Sequence, residues 1–295
     1  MSLLKDSNFM NVEPMVKGKV RDIFDLDDKL LIVVTDRISA FDCVFPNLIP
    51  HKGNVLNMIS KFWFDYTSDV VANHVITTDV SKYPTPYNEY TKELQGRSML
   101  VQKVDIIPIE CIVRGYLEGS GLKDYKKTGA ICGIKLREGL LQGDKLDEPI
   151  FTPSTKASEG HDMNVTYEQL INIIGEDLAV KIKKASLELY KKASEYALSK
   201  GLILADTKFE FGLLDNKLVV ADEMFTPDSS RFWDASDYKP GRAQKSFDKQ
   251  YLREYLETLD WDKTPPAPSL PTDIINKTSQ KYLQVYRILT GKELI

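Results

Sequence analysis

The stretch LADTKFEFGLLDNKLVVADEMFTPDSSRFW, residues 204–233, contains two apolar strand-like runs that also carry charge. Six charged side chains lie in or beside these runs: Asp206, Lys208, Glu210, Asp222, Glu223 and Asp228. Because side chains alternate between the faces of a strand, the first three charges are expected on one face and Thr207, Phe209 and Phe211 on the other. We therefore expect the charged face to hold a ligand and the mostly apolar face to pack inward.

The two runs are predicted to pair as a β-hairpin with a three-residue loop at residues 215–217. This loop would place Glu210 directly opposite Asp222, with β carbons roughly 4.5–5.5 Å apart. Two carboxylates at that distance repel each other unless a positive charge compensates, and a divalent metal supplies one. Magnesium prefers one or two carboxylates with water and phosphate oxygens, so this pair is predicted to bind Mg²⁺. The alternative is a surface hairpin whose acids pair with Lys208 or face water.

A second predicted hairpin joins residues 16–24 (VKGKVRDIF) to residues 29–35 (KLLIVVT). Its first strand sets basic residues beside a glycine, whose missing β carbon lets backbone N–H groups approach a phosphate. The segment concerned comprises Lys17, Gly18, Lys19, Val20 and Arg21. The P-loop pattern GxxxxGK[ST] does not occur, and an ordinary exposed basic strand is the alternative. Together with the carboxylate pair, this strand predicts a nucleoside triphosphate held between two sheets.

The remaining chain falls into blocks of helical and strand-like sequence. Apolar spacing predicts helices over residues 54–66, over 167–200 with a break at Gly175, near 247–257 and over 273–289. Strands are predicted at residues 98–104 and 110–117, linked by a hinge at 105–108 that contains Pro108. The blocks lack regular βαβ alternation, so the predicted fold class is α+β.

Composition favours small ligands over macromolecular ones. The chain has 295 residues, 42% of them hydrophobic, which suffices for a sizeable core and for two domains that share a cleft. A net charge of -4 gives no general attraction to nucleic acid or to an anionic membrane. No window approaches the ~18 apolar residues of a membrane helix, and the N-terminus has no leader pattern, so a cytoplasmic location is expected. The cysteines Cys43, Cys111 and Cys132 lack CxxC spacing and are expected to be reduced and structural.

Further cations and hydroxyls fall in segments rich in Gly, Ser, Thr and Pro. They are Arg114, Ser120, Lys156, Arg231 and Lys249. Each could be a solvated charge, but their concentration in such segments favours anion binding by several of them. His51 and His161 have no matching third ligand, so neither is expected to bind metal. GxSxG, HExxH and CxxC patterns do not occur, which leaves nucleophilic and zinc mechanisms without support.

An ordered set of segments resembles the SAICAR synthetase family of purine biosynthesis. The segments are GKVRDIF, TDRISAFD, IPHKGNVLN, IECIVRGYLEGSG, FTPSTKASEGHD, DTKFEFG and DEMFTPDSSRFW, spread over residues 18–233. The chain length and the later segment SFDKQYLREYL resemble the longer, yeast-like form of the family. The segment DEMFTPD is one residue longer than the compact bacterial pattern DEFSPD.

The resemblance implies an enzyme that joins L-aspartate to the carboxylate of carboxyaminoimidazole ribonucleotide (CAIR), converting ATP to ADP and phosphate with Mg²⁺. It implies a β-rich N-terminal domain, residues 1–104, similar to those of protein kinases and ATP-grasp enzymes. Residues 105–295 would form the second domain, with ATP in the cleft between the two.

The resemblance also assigns roles to residues. ATP is expected beside Lys17, Gly18, Lys19, Val20, Arg21, Gln102, Lys103, Val104, Asp105, Lys156, Glu210 and Asp222, the last two through the metal. The ribonucleotide is expected at Asp36, Ser39, Arg114, Ser120, Asp228, Arg231 and Lys249. Catalytic roles are expected for Asp206, Lys208 and Asp228.

The implied chemistry requires cations and positioning and no covalent enzyme nucleophile. A carboxylate is a poor acceptor for an amine until phosphorylation gives it phosphate as a leaving group. Two alternatives are a metal-dependent nuclease, suggested by the acid-x-lysine pattern at Asp206 and Lys208, and a non-catalytic ATP sensor. The negative net charge and the lack of a continuous basic face disfavour the nuclease. Monomer and homodimer are both compatible with the sequence.

Overall fold

The computed structural model describes residues 3–156 and 163–294. Its strands are β1 (Val16–Lys17), β2 (Arg21–Leu26), β3 (Lys29–Val34), β4 (Arg37–Ala40), β5 (Cys43–Leu48), β6 (Ala72–Asn73), β7 (Val75–Thr77), β8 (Ser98–Gln102), β9 (Asp105–Ile106), β10 (Ile109–Tyr116), β11 (Ala130–Ile131), β12 (Ile134–Lys135), β13 (Lys145–Phe151), β14 (Ser154–Thr155), β15 (Leu202–Leu214), β16 (Lys217–Ala221) and β17 (Ser230–Asp234). Its α-helices are α1 (Lys52–Tyr66), α2 (Thr91–Leu94), α3 (Gly119–Thr128), α4 (Tyr167–Ile174), α5 (Glu176–Ser199), α6 (Gln250–Glu257) and α7 (Thr272–Thr290).

The first large sheet is antiparallel and has the order β1-β2-β3-β8-β7. The predicted continuous strand over residues 16–24 is wrong, because the chain turns between β1 and β2. The Gly18 amide donates to the Arg21 carbonyl at 2.7 Å, which closes a tight turn over residues 18–20. The basic segment therefore forms a turn, and residues 18–20 line a cavity next to the first large sheet.

The second large sheet is built on β15, a strand of 13 residues. Its main path is β13-β10-β15-β16-β6, and β9, β14 and β17 pair with strands of that path. Phe209 and Phe211 are fully buried, as the alternation of side chains predicted. All pairings in this sheet are antiparallel except that of β16 with β6, which is parallel.

The predicted register of the β15–β16 hairpin is wrong by one residue. Leu214 pairs with Lys217, so the connection is a two-residue turn, and Glu210 lies opposite Ala221 instead of Asp222. Asp215 and Asn216 both have positive φ, at 49° and 60°. This is the backbone of the tight hairpin turns that Asp and Asn tolerate, and it matches the strand twist better than a longer loop.

One large hydrophobic core joins both sheets to the long helices. Trp63 of α1, Leu189 of α5, Phe209 of β15 and Tyr282 of α7 all belong to it and are fully buried. A second cluster packs Ile38 and its neighbours against α6 and the start of α7. The C-terminal helices thus pack on elements that come early in the chain.

The predicted α+β class is confirmed by these blocks of sheets and helices, and the predicted helices form at or near their expected positions. The division at residue 104 stays a prediction, since β6 and α1 pack with later elements. The three cysteines are free thiols, as expected. Within the described ranges, no helix is long and apolar enough to cross a membrane.

Candidate active site

A cleft of about 480 Å³ lies between the two large sheets, and we call it the inter-sheet cleft. Nine of the residues predicted to bind ATP line it: Gly18, Lys19, Val20, Arg21, Gln102, Val104, Lys156, Glu210 and Asp222. Apolar side chains of β2 and β3, including Ile23, Leu30 and Ile32, complete the wall together with Ile106. The cleft therefore combines a flat apolar slot with a dense group of charges.

The hinge after β8 is held close to β15. Ile106 pairs with Gly212 in the sheet, and a β carbon at Gly212 would lie only 2.7 Å from a methyl carbon of Val104. Glycine is needed there because a larger residue would push the hinge into the cleft. On its other side the Gln102 amide donates to the His74 carbonyl at 2.7 Å, so the hinge backbone is fixed from both directions.

The acids of the inter-sheet cleft are paired with cations from distant segments. Arg21 donates to Asp222 at 2.6 Å and forms an ion pair with Glu223 at 2.6 Å, and Lys156 donates to Glu210 at 2.8 Å. Burial alone would lower the pKa of Arg21, but Asp222 and Glu223 raise it above its ordinary value. Burial alone would raise the pKa of Glu210, but Lys208 and Lys156 lower it. Each of these three carboxylates is therefore paired with a cation that a bound ligand could displace.

These carboxylates fit the donor set that magnesium prefers. Asp222 follows the end of β16 with φ of 63°, a left-handed conformation that breaks strand alternation, and its side chain lines the cleft with Glu210. The two acids therefore share a cavity although they are not directly opposed in the sheet. Among the described residues no group of three or more His, Cys, Asp or Glu side chains could hold a metal ion. Phosphate oxygens and water would have to complete the coordination.

Lys208 lies where the inter-sheet cleft meets a second cavity, and it lines both. Its ammonium donates to Glu110 at 2.6 Å and lies 3.5 Å from Glu210. Burial alone would lower the pKa of Lys208, but Glu110 and Glu210 raise it. Of the acids on its own strand face, Lys208 approaches Glu210, whereas Asp206 pairs with two arginines.

The second cavity has a volume of about 260 Å³, and we call it the arginine pocket. Its predicted residues are Arg114, Ser120, Asp206, Asp228 and Arg231, all of which line it. Asp206 accepts from Arg114 at 3.3 Å and also from Arg231. Arg114 further donates to Ser120 at 2.9 Å and to Thr152 at 3.1 Å. One buried carboxylate thus orients two guanidinium groups toward the same space.

Two glycines make room for these arginines. Gly119 has φ of 59°, and a β carbon there would lie 2.4 Å from Nη2 of Arg231. A β carbon at Gly121 would lie 3.1 Å from the side chain of Arg114. Burial lowers the pKa of Arg114, while Asp206 raises the pKa of Arg231 against the effect of burial. The segment GSG therefore gives the arginine pocket its shape.

Asp228 sits at the base of the arginine pocket within a buried network. Its Oδ2 accepts from Lys52 at 2.9 Å and forms an ion pair with Lys249 at 2.9 Å, and its Oδ1 accepts from Tyr282 at 2.6 Å. Burial alone would raise the pKa of Asp228, but the two lysines lower it well below its ordinary range. Burial and Lys249 lower the pKa of Lys52 to about 8. Lys249, predicted as a substrate residue, reaches the pocket through this network.

Six predicted ligand residues line neither cavity: Lys249, described above, and five others. Asp36 is buried and accepts from the amides of Leu4 and Gly53 and from Arg97, which is a structural role. Ser39 is half-buried on β4. Three others point to solvent or to local partners: Lys17 bonds Asn8, Lys103 bonds Asp25, and Asp105 is exposed in β9. Their assignments to ATP or the ribonucleotide remain predictions.

Several residues of the site were not predicted. They are Lys52, His74, Glu110, Glu223, Asp248, Arg253 and Tyr282. Burial lowers the pKa of His74 to about 4, and its buried Nε2 has no hydrogen-bond partner within the described chain. Glu110 and Lys52 lie in the segments IECIVRG and IPHKGN. Both segments belong to the set that resembles the family, so the sequence could have indicated these two residues. His161 lies outside the described residues.

The family model of SAICAR synthetase matches residues 14–268. A relative from Thermodesulfovibrio yellowstonii, a phosphoribosylaminoimidazole-succinocarboxamide synthase, is 54% identical over 290 residues, covering 98% of this chain and 99% of its own. One from Geobacter sulfurreducens is 55% identical over 291 residues and covers 98% of each chain.

Solved structures agree with these relatives. SAICAR synthase from Saccharomyces cerevisiae, complexed with SAICAR, has a TM-score of 0.89 at 41% identity over 99% of each chain. A SAICAR synthetase in complex with ADP has a TM-score of 0.70 at 26% identity over 95% of this chain and 99% of its own. The closer fit to the yeast structure confirms the longer form predicted from the chain length. The chain therefore belongs to the SAICAR synthetase family, whose members are ATP-dependent ligases of purine biosynthesis.

Proposed function

We propose that the chain ligates L-aspartate to CAIR through an acyl phosphate, with ATP in the inter-sheet cleft and CAIR in the arginine pocket. The observation that carries the proposal is Lys208, which lines both cavities and so marks where a γ-phosphate and a carboxylate would meet. The solved relatives complexed with SAICAR and with ADP support ligands of these two kinds.

The inter-sheet cleft suits a purine nucleotide. The base would lie in the apolar slot of Ile23, Leu30 and Val104, against the fixed hinge backbone. The triphosphate would extend toward Lys19 and Arg21, whose turn presents its backbone to the cleft. Charge-assisted hydrogen bonds from such cations are the strong kind, so the phosphates would be held more firmly than the base.

We place magnesium between Glu210 and Asp222, with Glu223 beside them. When bound, Mg²⁺ would offset the negative charge that phosphoryl transfer leaves on the phosphate oxygens. Binding requires Arg21 and Lys156 to exchange their carboxylate partners for phosphate oxygens. Both cations then remain in the cleft as ligands of the nucleotide.

The arginine pocket suits the ribonucleotide. Arg114 and Arg231 present planar guanidinium groups that match phosphate and carboxylate geometry, and Ser120 adds a hydroxyl. Asp206 keeps both guanidinium groups in place before any substrate arrives. The pocket would therefore bind CAIR with little rearrangement.

Two transfers complete the proposed reaction. An oxygen of the CAIR carboxylate attacks the γ-phosphorus, the bond to the β-phosphate oxygen breaks, and ADP leaves. The aspartate amine then attacks the acyl carbon, phosphate leaves with the electron pair of the carbon–oxygen bond, and the nitrogen gives up a proton. Lys208 would hold the carboxylate against the phosphate and offset charge in both steps. The cytoplasmic location and the domain division at residue 104 remain predictions.

An ADP-release assay with each substrate omitted in turn tests this function. Release that needs ATP, CAIR, aspartate and Mg²⁺ together is the expected result. Release independent of CAIR and aspartate would contradict it, and ATP binding without any turnover would favour the ATP sensor. Tight DNA binding with a steep salt dependence would favour the nuclease instead.

A further inference from the structure

Helix α7, Thr272–Thr290, lies beyond the family model, which ends at residue 268. It nevertheless contacts the arginine pocket and its supporting loops. Tyr282 donates to Asp228 at 2.6 Å, Ser279 donates to the Pro50 carbonyl at 2.7 Å, and Lys281 donates to the Ser246 carbonyl. Three different side chains of one helix thus fix three segments that surround the pocket.

The bond from Tyr282 has a specific effect on Asp228. Both lysines of the network bind Oδ2, which leaves Tyr282 as the side chain that satisfies Oδ1. Tyr282 and Lys52 are fully buried and the Asp228 side chain is only 4% exposed, so their contacts are largely shielded from bulk water. Without that donor Oδ1 would be left unsatisfied, and rotation of Asp228 toward the lysines would relieve this cost. Rotation of Asp228 would draw Lys249 and residues 227–231 away from their present positions.

We propose that α7 positions the arginine pocket through the Tyr282–Asp228 hydrogen bond, and so sets affinity for the anionic ribonucleotide and not for ATP. The inference rests on the proposed function, which places CAIR in that pocket. Asp228 and Arg231 lie three residues apart and both line the pocket, so a shift of the first would be passed to the second through the short backbone between them. Tyr282 is a positioning residue, because it acts on the ligand through Asp228.

A simple packing role for α7 is the competing explanation. Val285, Tyr286 and Leu289 bury their side chains in the core, and they would stabilise the fold whatever Tyr282 does. The two roles separate because packing affects all substrates alike, whereas the proposed hydrogen bond affects only the pocket it supports. Tyr286 supplies a matched control, since it is a buried tyrosine one turn along α7 that lines a different cavity with Met58 and Leu294.

The test compares Tyr282→Phe with Tyr286→Phe. Loss of a hydrogen bond to a charged group predicts that Tyr282→Phe raises KM for CAIR by about tenfold and leaves KM for ATP within about twofold. Tyr286→Phe should leave both constants near the wild-type values. Thermal shifts induced by CAIR and by ATP measure binding without turnover, and they should show the same selectivity.

A double variant keeps the test decisive if Tyr282→Phe loses stability. In an Asp228→Asn background, Tyr282→Phe should weaken CAIR much less than it does alone, because the bond is already altered. Equal effects on CAIR and ATP, or additive effects in the double variant, would overturn the inference. Active wild-type protein with unchanged CAIR affinity in Tyr282→Phe would overturn the inference alone. Wild-type protein that neither binds CAIR nor releases ADP would overturn the proposed function and this inference together.

Discussion

The inter-sheet cleft and the arginine pocket use charge in opposite ways. In the cleft, Arg21 and Lys156 pair with the acids that a metal would need, so ligand binding must exchange these partners. In the arginine pocket, Asp206 holds two arginines that need no exchange. We therefore expect ligand binding to rearrange the ion pairs of the inter-sheet cleft, whereas the arginine pocket is organised in advance. Lys208, which lines both, is where the two types of site meet.

The largest expected effect comes from the residue shared by both cavities. Lys208→Met should lower the rate of ADP release by about a hundredfold or more, as loss of one preorganised charge-stabilising group does. It should also lower the melting temperature, because Glu110 loses its partner at 2.6 Å. Adding Glu110→Gln should restore stability but not rate. Recovery of the rate in that double variant would show that Lys208 is only a counter-ion of Glu110. Lys208 would then have no catalytic role where the two cavities meet.

Truncation in the arginine pocket should act on one substrate. Arg114→Ala or Arg231→Ala should weaken CAIR about ten- to a hundredfold, since each removes charged hydrogen bonds worth about 1.5–3 kcal/mol. ATP affinity should stay near wild type. Arg137→Ala, which removes an exposed arginine paired with Asp147, is the control in a binding titration. Weaker ATP with unchanged CAIR would reverse the assignment of the two cavities.

Loss of one acid from the inter-sheet cleft should change the metal requirement. Glu210→Gln should raise the Mg²⁺ concentration for half-maximal activity by about tenfold and reduce turnover, because a neutral amide is a weaker ligand. Glu93→Gln, on the surface helix α2, is the control in a Mg²⁺ titration at fixed ATP. An unchanged Mg²⁺ dependence would remove Glu210 from the metal site.

The smallest expected effect concerns His74 in the wall of the cleft. Its pKa of about 4 in the folded state lies below the ordinary 6.5 because the ring is buried. Between these values the unfolded state binds a proton that the folded state does not, so stability falls as pH drops from 6.5 toward 4. His74→Phe removes this contribution, and wild type should lose about 1 kcal/mol more than the variant between pH 7.5 and pH 6. If the free energy of unfolding changed equally with pH in both proteins over this range, a buried neutral His74 would be contradicted.

Local sequence patterns predicted much of the second sheet and little of the ion pairing. Alternation along β15 correctly placed Phe209 and Phe211 in the core. The hairpin register failed because residues 215–216 form a two-residue turn, a conformation that the Asp-Asn pair could have indicated. Arg21 and Asp222 pair across 201 positions, and no local pattern encodes such a contact.

Some residues that the family resemblance assigned to ligands have hydrogen-bond partners within the fold. Asp36 lies in the segment TDRISAFD, yet its partners Leu4, Gly53 and Arg97 come from three separate regions and bury it completely. Tyr282 shows the converse, because its role depends on α7 folding back onto Asp228. Tertiary contacts decide in both cases whether a polar residue supports the fold or serves a ligand.

The parallel pairing of β6 with β16 has a consequence for synthesis of the chain. Ala72 and Asn73 find their strand partners only at Val219 and Val220, which the ribosome adds much later. Until then β6 is an unpaired edge, and the face of α1 that packs on α7 stays exposed. The first sheet has all its strands by residue 102 and can form early, but β6 and α1 stay uncovered. A fragment ending at residue 104 should therefore aggregate where the full chain does not.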